Sequence, residues 1–160
     1  MNLFGESVTE ARKRLLEGVT QGEIVFCPCC DKRVTVYHRK LNAGMAWCLI
    51  WLVREWKRTN DWVSLKEDDV PDAVQAHREV HKLRFWKLIE AGSHYTMTER
   101  TQALWKPTIE GLNFVSDLNI RVPSHMDICN NRKVRATETT VNIVEALGDR
   151  FDYPELMGGL

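Results

Sequence analysis

The residues with the clearest capacity for chemistry are three cysteines within four positions, Cys27, Cys29 and Cys30. Cys27 and Cys30 have C-x2-C spacing, which can place two thiolates on one turn and supply half of a tetrahedral zinc site. A closed site needs two further ligands, and the sequence has no second C-x2-C pair. The remaining candidates are His38, Cys48, His125 and Cys129. Zinc held by Cys27 and Cys30, or a turn that keeps its shape without metal, are the two alternatives left open.

The same cysteines raise the question of thiol–disulfide chemistry, because a strand followed by Cys27-Pro28-x-Cys30 resembles the entrance of a glutaredoxin site. That chemistry places the first cysteine at a helix N-terminus, which lowers its pKa. Residues 33–38 alternate like a strand, so the activating helix is not predicted. The histidines are scattered and no phosphate-cradling glycine motif is present. We therefore do not expect an enzyme.

Charge is distributed unevenly along a chain that is neutral in total, with 22 basic and 22 acidic residues. Residues 27–58 hold seven basic residues against two acidic ones, whereas residues 137–160 hold one against five. A basic segment of this kind is typical either of a solvated face or of a surface that binds a polyanion. The longest apolar run, residues 43–53, is about half the length of a bilayer crossing, so no membrane segment is predicted.

The elements that must position these residues are predicted from hydrophobic periodicity. Residues 43–57 carry a full apolar helical stripe after the N-cap Asn42, and this segment is the candidate central helix. A first helix through Leu16, a β-hairpin of residues 23–26 and 33–38, and a strand at residues 62–65 surround it. A long helix is predicted over residues 72–90, ending before Gly92. A hairpin at residues 94–106, a helix at 109–118, a hairpin turning at Asn130-Asn131 and a helix at 138–147 complete the order.

Two stretches in the middle of the chain resemble winged-helix domains. Residues 83–90 followed by Gly92 resemble the end of a recognition helix, and Trp105-Lys106-Pro107-Thr108-Ile109-Glu110-Gly111-Leu112-Asn113-Phe114 resembles the aromatic-x-x-Thr-x-x-Gly-x-x-Phe step after the wing. In that step the aromatic residue seats a strand, the threonine caps a helix, and the glycine permits close packing. The resemblance covers about residues 41–118.

The chain as a whole also resembles a group of proteins from tailed bacteriophages and prophages to which no activity is attached. The similarity lies in residues 26–30 with 36–41, in residues 81–86, and in residues 145–157. It implies expression in the cytoplasm of a bacterial host. The odd number of cysteines, five, also suits a reducing compartment.

Together these patterns predict one α+β domain over residues 1–160. Residues 1–40 would form the helix and cysteine-bearing hairpin, residues 41–118 a winged helix-turn-helix core, and residues 119–160 a C-terminal hairpin and helix packed on it. The function predicted is binding of duplex DNA by the long helix and the wing. The residues predicted to contact nucleic acid are Gln75, Arg78, His81, Lys82, Arg100, Arg39 and Lys40. The alternative is a host protein docked on the same surface, because the approach to that helix, residues 67–69, is acidic.

Overall fold

The computed structural model describes residues 5–65, 70–76, 79–92 and 104–158, and these form a mixed α+β fold. The helices are α1 Val8–Thr20, α2 Ala43–Thr59, α3 Asp72–Ala76, α4 Ile109–Ser116, α5 Ile143–Leu147 and α6 Tyr153–Met157, with 3₁₀ helices at Val80–Trp86 and Gly148–Arg150. The strands are β1 Tyr37–Lys40, β2 Val63–Ser64, β3 Ile89–Gly92, β4 Leu104–Pro107, β5 Val122–Pro123, β6 His125–Cys129, β7 Arg132–Ala136 and β8 Thr140–Val141.

Three small antiparallel sheets are formed by the described strands. Their strand orders are β1-β6-β7, β2-β4-β3 and β5-β8. The hairpin β6–β7 turns through Asn130 and Asn131, which both have positive φ (47° and 62°), so the predicted Asn-Asn turn is confirmed. The outer strand β1 pairs with β6 from a distant part of the chain, which joins the N-terminal region to the C-terminal one.

The central helix α2 organises the core. Asn42 Oδ1 accepts a hydrogen bond from the backbone N–H of Met45 at 2.9 Å, which confirms the predicted N-cap. Leu49, Leu52 and Val53 are fully buried, and α2 packs against α4, α5, β4 and the 3₁₀ helix Val80–Trp86. The apolar stripe read from the sequence is therefore the face that the core covers.

The prediction of one long helix over residues 72–90 is wrong. Within the described residues, α3 ends at Ala76, and the chain continues as the 3₁₀ helix Val80–Trp86. Lys87 has a left-handed backbone (φ 59°) and ends that helix, and Ile89 already pairs with Pro107 in the sheet. Gly92, expected to stop the helix, lies in β3 instead. A Cβ at this position would lie 3.0 Å from the nearest atom of the Trp62 ring.

The N-terminal region also differs from its prediction. Helix α1 is capped by Ser7, with Glu10 completing a capping box, but it runs to Thr20 instead of ending near Leu16. The hairpin predicted for residues 23–38 is reduced to one bridge between Phe26 and Arg33. The expected returning strand is displaced to β1, because pairing with β6 outweighs pairing within the local hairpin.

The C-terminal segment packs on the body, as its aromatic residues predicted. Tyr153 donates a hydrogen bond to the carbonyl of Val115 at 2.7 Å, and Phe151, Leu156 and Met157 pack against the core. Arg54 of α2 donates to the carbonyl of Leu156. Among the described residues, no helix is long and apolar enough to cross a membrane.

Candidate functional site

Two cross-strand rows of polar side chains share one face of the sheet β1-β6-β7. In the first row, His38 of β1 and Arg135 of β7 lie opposite Asp127 of the central strand. In the second row, Lys40 lies opposite His125. Alternate residues of a strand point to the same face of the sheet. Met126 and Ile128 of β6 are buried in the core, so His125 and Asp127, and the two rows that they belong to, lie on the opposite face.

Asp127 anchors the first row. Its side chain is only 10% exposed, whereas those of His38 and Arg135 are 58% and 60% exposed. His38 Nδ1 lies 2.6 Å from Asp127 Oδ1, and Arg135 donates from Nε and Nη2 to Oδ2 at 3.1 and 2.8 Å. Burial opposes the negative charge of this carboxylate, but the hydrogen bonds from His38 and Arg135 outweigh it and hold the pKa of Asp127 below its usual value.

This arrangement predicts how stability depends on acid. Because the pKa of Asp127 is lower in the folded chain than in the unfolded one, its charge stabilises the fold above the usual aspartate pKa. The contribution is lost as pH falls through the folded value. We expect the free energy of unfolding, measured by urea titration from about pH 5 to pH 2, to fall more steeply for the wild type than for Asp127→Asn. Glu138→Gln, which changes an exposed carboxylate that forms no ion pair with the described residues, is the control. Equal slopes for wild type and Asp127→Asn would contradict this assignment.

His125 stacks on His38 in the neighbouring row. The ring centroids are 4.4 Å apart and the planes differ by 10°, and Ser124 Oγ lies 2.9 Å from His125 Nδ1. Burial lowers the pKa of His125, and the positive charges of His38 and Lys40 lower it further, against the charge of Asp127. His125 therefore takes up a proton less readily than an unperturbed histidine, and an anion bound beside it would oppose this effect.

We call His38, Lys40, His125 and Arg135 the basic face. Apart from Asp127, which is covered by its two partners, no carboxylate in the described part of the chain forms an ion pair with these residues. Arg33 and Arg135 line one groove, together with the carboxylates of Glu23 and Asp127, so the charged surface continues toward the cysteine turn. The arrangement can bind anions, and its histidines make that binding sensitive to pH.

Arg39 and Lys82, two of the residues predicted to bind nucleic acid, share one carboxylate elsewhere. Arg39 points to the opposite face of β1 from Lys40, stacks on Tyr37 at 5.0 Å and lies 3.3 Å from Glu79. Lys82 Nζ lies 2.5 Å from the same Glu79 oxygen, and its side chain is only 20% exposed. Their positive charge is therefore partly neutralised, in contrast to that of Lys40.

The remaining predicted contacts are not aligned on one helix. Gln75 lies in α3, and His81 is half-buried in the 3₁₀ helix that follows. Arg78 and Arg100 lie outside the described residues. The long helix that was expected to carry Gln75, Arg78 and Lys82 is interrupted, because α3 ends at Ala76 and Lys82 lies in a separate 3₁₀ helix.

The cysteine turn holds Cys27 and Cys30 beside one groove, and Cys129 of β6 lines the same groove. Cys48 is fully buried in α2, where burial raises its pKa to about 12, so it is a core residue and cannot join the turn. His38 and His125 cannot share a metal ion in their stacked arrangement, since a ligating nitrogen binds in the plane of its ring. Across residues 5–65, 70–76, 79–92 and 104–158, no group of three or more histidine, cysteine or acidic side chains is arranged to hold a metal. The expected zinc ligands Cys27 and Cys30 thus have no third partner in place.

Sequence reasoning missed Arg135 of the basic face and its partner Asp127, and it considered His38 and His125 only as possible zinc ligands. The available signal was the alternation of His125 and Asp127 with the apolar Met126 and Ile128, which predicts a strand with one polar face. That pattern does not reveal which strands lie beside β6. Comparisons with protein-family models, curated proteins and solved structures find no match to this chain.

Proposed function

We propose that this chain binds nucleic acid, with duplex DNA as the first candidate, through the basic face. The observation that supports the proposal is the charge of Lys40, which forms no ion pair with the described residues and lies opposite His125. The adjacent row adds His38 and the Arg135 guanidinium, which is 60% exposed although it pairs with Asp127. Phosphate oxygens accept hydrogen bonds from lysine, arginine and protonated histidine, and release of counterions drives such binding. The role is binding, not catalysis.

We further propose that residues 41–118 form a winged-helix core within a phage-derived protein that acts in the cytoplasm of a bacterial host. The order α2, β2, α3, 3₁₀ helix, β3, β4 and the sheet order β2-β4-β3 support this proposal. The tip of the wing, with Arg100, lies outside the described residues. In this scheme the alternative surface is the one that carries His81 and Lys82, and Gln75 and Arg78 remain the further contacts that the sequence predicted for it.

Charge neutralisation favours Lys40 of the basic face over that helical surface. Glu79 forms ion pairs with both Lys82 and Arg39. Breaking such a pair costs free energy, which offsets part of the free energy gained from a new phosphate contact. Lys40 has no such competitor among the described residues. The two surfaces can therefore be distinguished by replacing Lys40, which forms no ion pair with the described residues, and Lys82, which is paired with Glu79.

The experiment titrates the protein with a nonspecific DNA duplex at several salt concentrations. We expect Lys40→Ala to reduce the slope of log affinity against log salt by about one unit, because each phosphate contact contributes about that much. Lys82→Ala should change the slope less, and Lys106→Ala, which alters a lysine paired with Glu90 on another sheet, should leave it unchanged. A larger loss for Lys82→Ala than for Lys40→Ala would move the site to the helix. No salt-sensitive association at low ionic strength would overturn nucleic-acid binding.

Binding should also take up protons. A phosphate beside His125 offsets the burial and the positive neighbours that lower its pKa, so affinity should rise as pH falls from about 8 to 6. Substitution His125→Gln removes this group while leaving Lys40 and Arg135 in place, and we expect it to flatten the pH dependence. The same titration, repeated at each pH, measures the effect.

A second candidate function is binding of a host protein, and exposed apolar residues near the cysteine turn favour it. Ile24 and Phe26 are 65% and 55% exposed and stand two residues apart on an extended segment. Aromatic and aliphatic side chains of this kind are common at the centre of protein interfaces. A partner captured from bacterial lysate should be lost with Phe26→Ser and kept with Lys40→Ala if this function holds, whereas DNA binding predicts the reverse sensitivity.

A further inference from the structure

The turn that carries the cysteines is held by backbone hydrogen bonds. The N–H of Cys27 donates to the carbonyl of Lys32, and the N–H of Asp31 donates to the carbonyl of Cys27, both at 2.9 Å. Asp31 has a positive φ of 53°, which closes the turn. In this conformation Cys27 and Cys30 lie at the two ends of one turn, and both line the same groove.

The turn can replace the activating helix that was not predicted from the sequence. Thiol–disulfide chemistry needs a first cysteine whose thiolate is stabilised, and a helix N-terminus is one way to achieve it. Here the backbone N–H groups of Cys29 and Cys30 lower the pKa of Cys27, and the thiols of Cys30 and Cys29 lower it further. Cys27 is half-buried and Cys30 is exposed, so a small molecule can reach the pair.

The groove beside the pair, which we call the thiol groove, has a volume of about 490 Å³ and is strongly positive. Its cationic lining residues are Arg12, Lys32, Arg33 and Arg132. They come from α1, from the cysteine turn and from β7. No acidic residue lines the groove, and none of these four cations forms an ion pair within the described ranges.

We propose that the thiol groove is a thiol–disulfide exchange site for small disulfides that carry carboxylates. The Cys27 thiolate attacks one sulfur of the disulfide, forms a mixed disulfide and releases the other half as a thiolate. The Cys30 thiol then loses its proton to solvent and attacks the sulfur of Cys27. This step forms the Cys27–Cys30 disulfide and releases the second half, so the small disulfide is reduced by two electrons and the protein pair is oxidised.

The other cysteines have different environments. Burial raises the pKa of Cys129, which lines the groove but remains a thiol, and Cys48 lies in the core. Cys29 is exposed in the turn and is the competing nucleophile. The site is independent of the nucleic-acid surface, because its reaction requires Cys27 and Cys30 and makes no use of Lys40 or His125.

The test uses the full-length chain reduced and freed of reductant, with Cys29→Ser as the reference background. The probe is dithiobis(nitrobenzoate), an aryl disulfide with two carboxylates, whose release as a coloured thiolate is followed by absorbance. We expect a fast phase that releases two thiolates per chain and leaves an internal disulfide, detected by mass spectrometry after proteolysis. Adding Cys30→Ser should halve the release and trap the mixed disulfide on Cys27, and adding Cys27→Ser should abolish the fast phase.

The role of the positive groove is measured with a disulfide of opposite charge. Cystamine, which carries two ammonium groups, should react more slowly with the reference protein than the anionic probe, after each rate is normalised to that with a free thiol. We expect Arg12→Ala with Arg132→Ala to reduce this preference roughly tenfold, a change within the range of electrostatic steering. Lys13→Ala, on the same helix but paired with Glu17, is the matched control.

Three results would overturn the proposal. One is a fast phase that persists without Cys27, and another is the same normalised rate for anionic and cationic disulfides. The third is an equivalent of metal bound by Cys27 and Cys30 in protein purified without added metal, since both thiolates would then be occupied. Circular dichroism of each variant confirms that it is folded, so a lost reaction cannot be attributed to unfolding.

Discussion

Replacing Gly111 with alanine should destabilise the fold by about 3 kcal/mol or more, at the upper end of what overpacking costs. A Cβ at this position would lie 2.0 Å from the backbone oxygen of Leu88 and 3.0 Å from its carbonyl carbon. The obstacle is backbone, so no side-chain rotation relieves it. The loss should occur even though alanine favours a helix by about 1 kcal/mol relative to glycine.

The surroundings of Gly111 make relaxation costly. Thr108 donates its N–H to the carbonyl of Leu88 at 3.1 Å and its hydroxyl to the carbonyl of Lys87 at 2.5 Å. The same hydroxyl accepts the N–H of Gly111 at 3.0 Å and caps α4. Moving Leu88 away from a new methyl group would break these bonds and shift the start of β3, which begins at Ile89.

Gly158→Ala is the matched control for this substitution. A Cβ at Gly158 would meet its nearest atoms at 3.5 Å, an ordinary contact, and its φ of −62° suits alanine. We expect the free energy of unfolding, from urea titration followed by tryptophan fluorescence, to change by less than about 0.5 kcal/mol. If Gly111→Ala were as mild as this control, α4 could not pack on Leu88 as closely as described.

The Gly111 contact shows which part of the fold could be predicted from sequence. The resemblance carried by Trp105, Thr108, Gly111 and Phe114 predicted that the tryptophan holds a strand in place, the threonine caps a helix, and the glycine permits a close approach. Trp105 and Phe114 are buried, Thr108 caps α4, and Gly111 meets Leu88. These features depend on residues close together in the sequence, where local chemistry determines the structure.

The long helix of residues 72–90 could not be corrected from the same kind of information. Leu83, Leu88 and Ile89 are apolar at spacings that fit a helix, and all three are buried. The backbone leaves the helix at Lys87 because Ile89 and Glu90 pair with Pro107 and Lys106 across a hairpin. Burial was predicted correctly, but the secondary structure was set by a strand partner that periodicity does not identify.

The candidate site was predicted less well for a related reason. Lys40 was identified as a basic residue near the surface, but its neighbours His125 and Arg135 lie about 90 residues further along the chain. Arg39 stands next to Lys40 in sequence yet points to the opposite face, where Glu79 holds it together with Lys82. Charge counts along the chain cannot show this neutralisation, because the ion pairs depend on how distant segments pack.

The packing of α2 against the 3₁₀ helix Val80–Trp86 gives the second large expected effect. Leu52 and Leu83 are both fully buried in the core, and these two elements are in contact. Truncating either leucine removes its transfer free energy and leaves a cavity, so we expect Leu52→Ala and Leu83→Ala each to lower the free energy of unfolding by about 2–5 kcal/mol. Thermal and urea unfolding measure this directly.

Leu118→Ala is the control for these truncations, since Leu118 is 47% exposed beyond the end of α4 and should cost about 0.5 kcal/mol or less. Comparing buried leucines with an exposed one separates the effect of lost core packing from any effect of the leucine-to-alanine change that does not depend on burial. Leu83 is the more informative of the two, because its burial requires the 3₁₀ helix to lie against α2 even though the longer predicted helix is not formed. A cost below about 1 kcal/mol at Leu83, with the full cost at Leu52, would mean that residues 80–86 contribute little to the core.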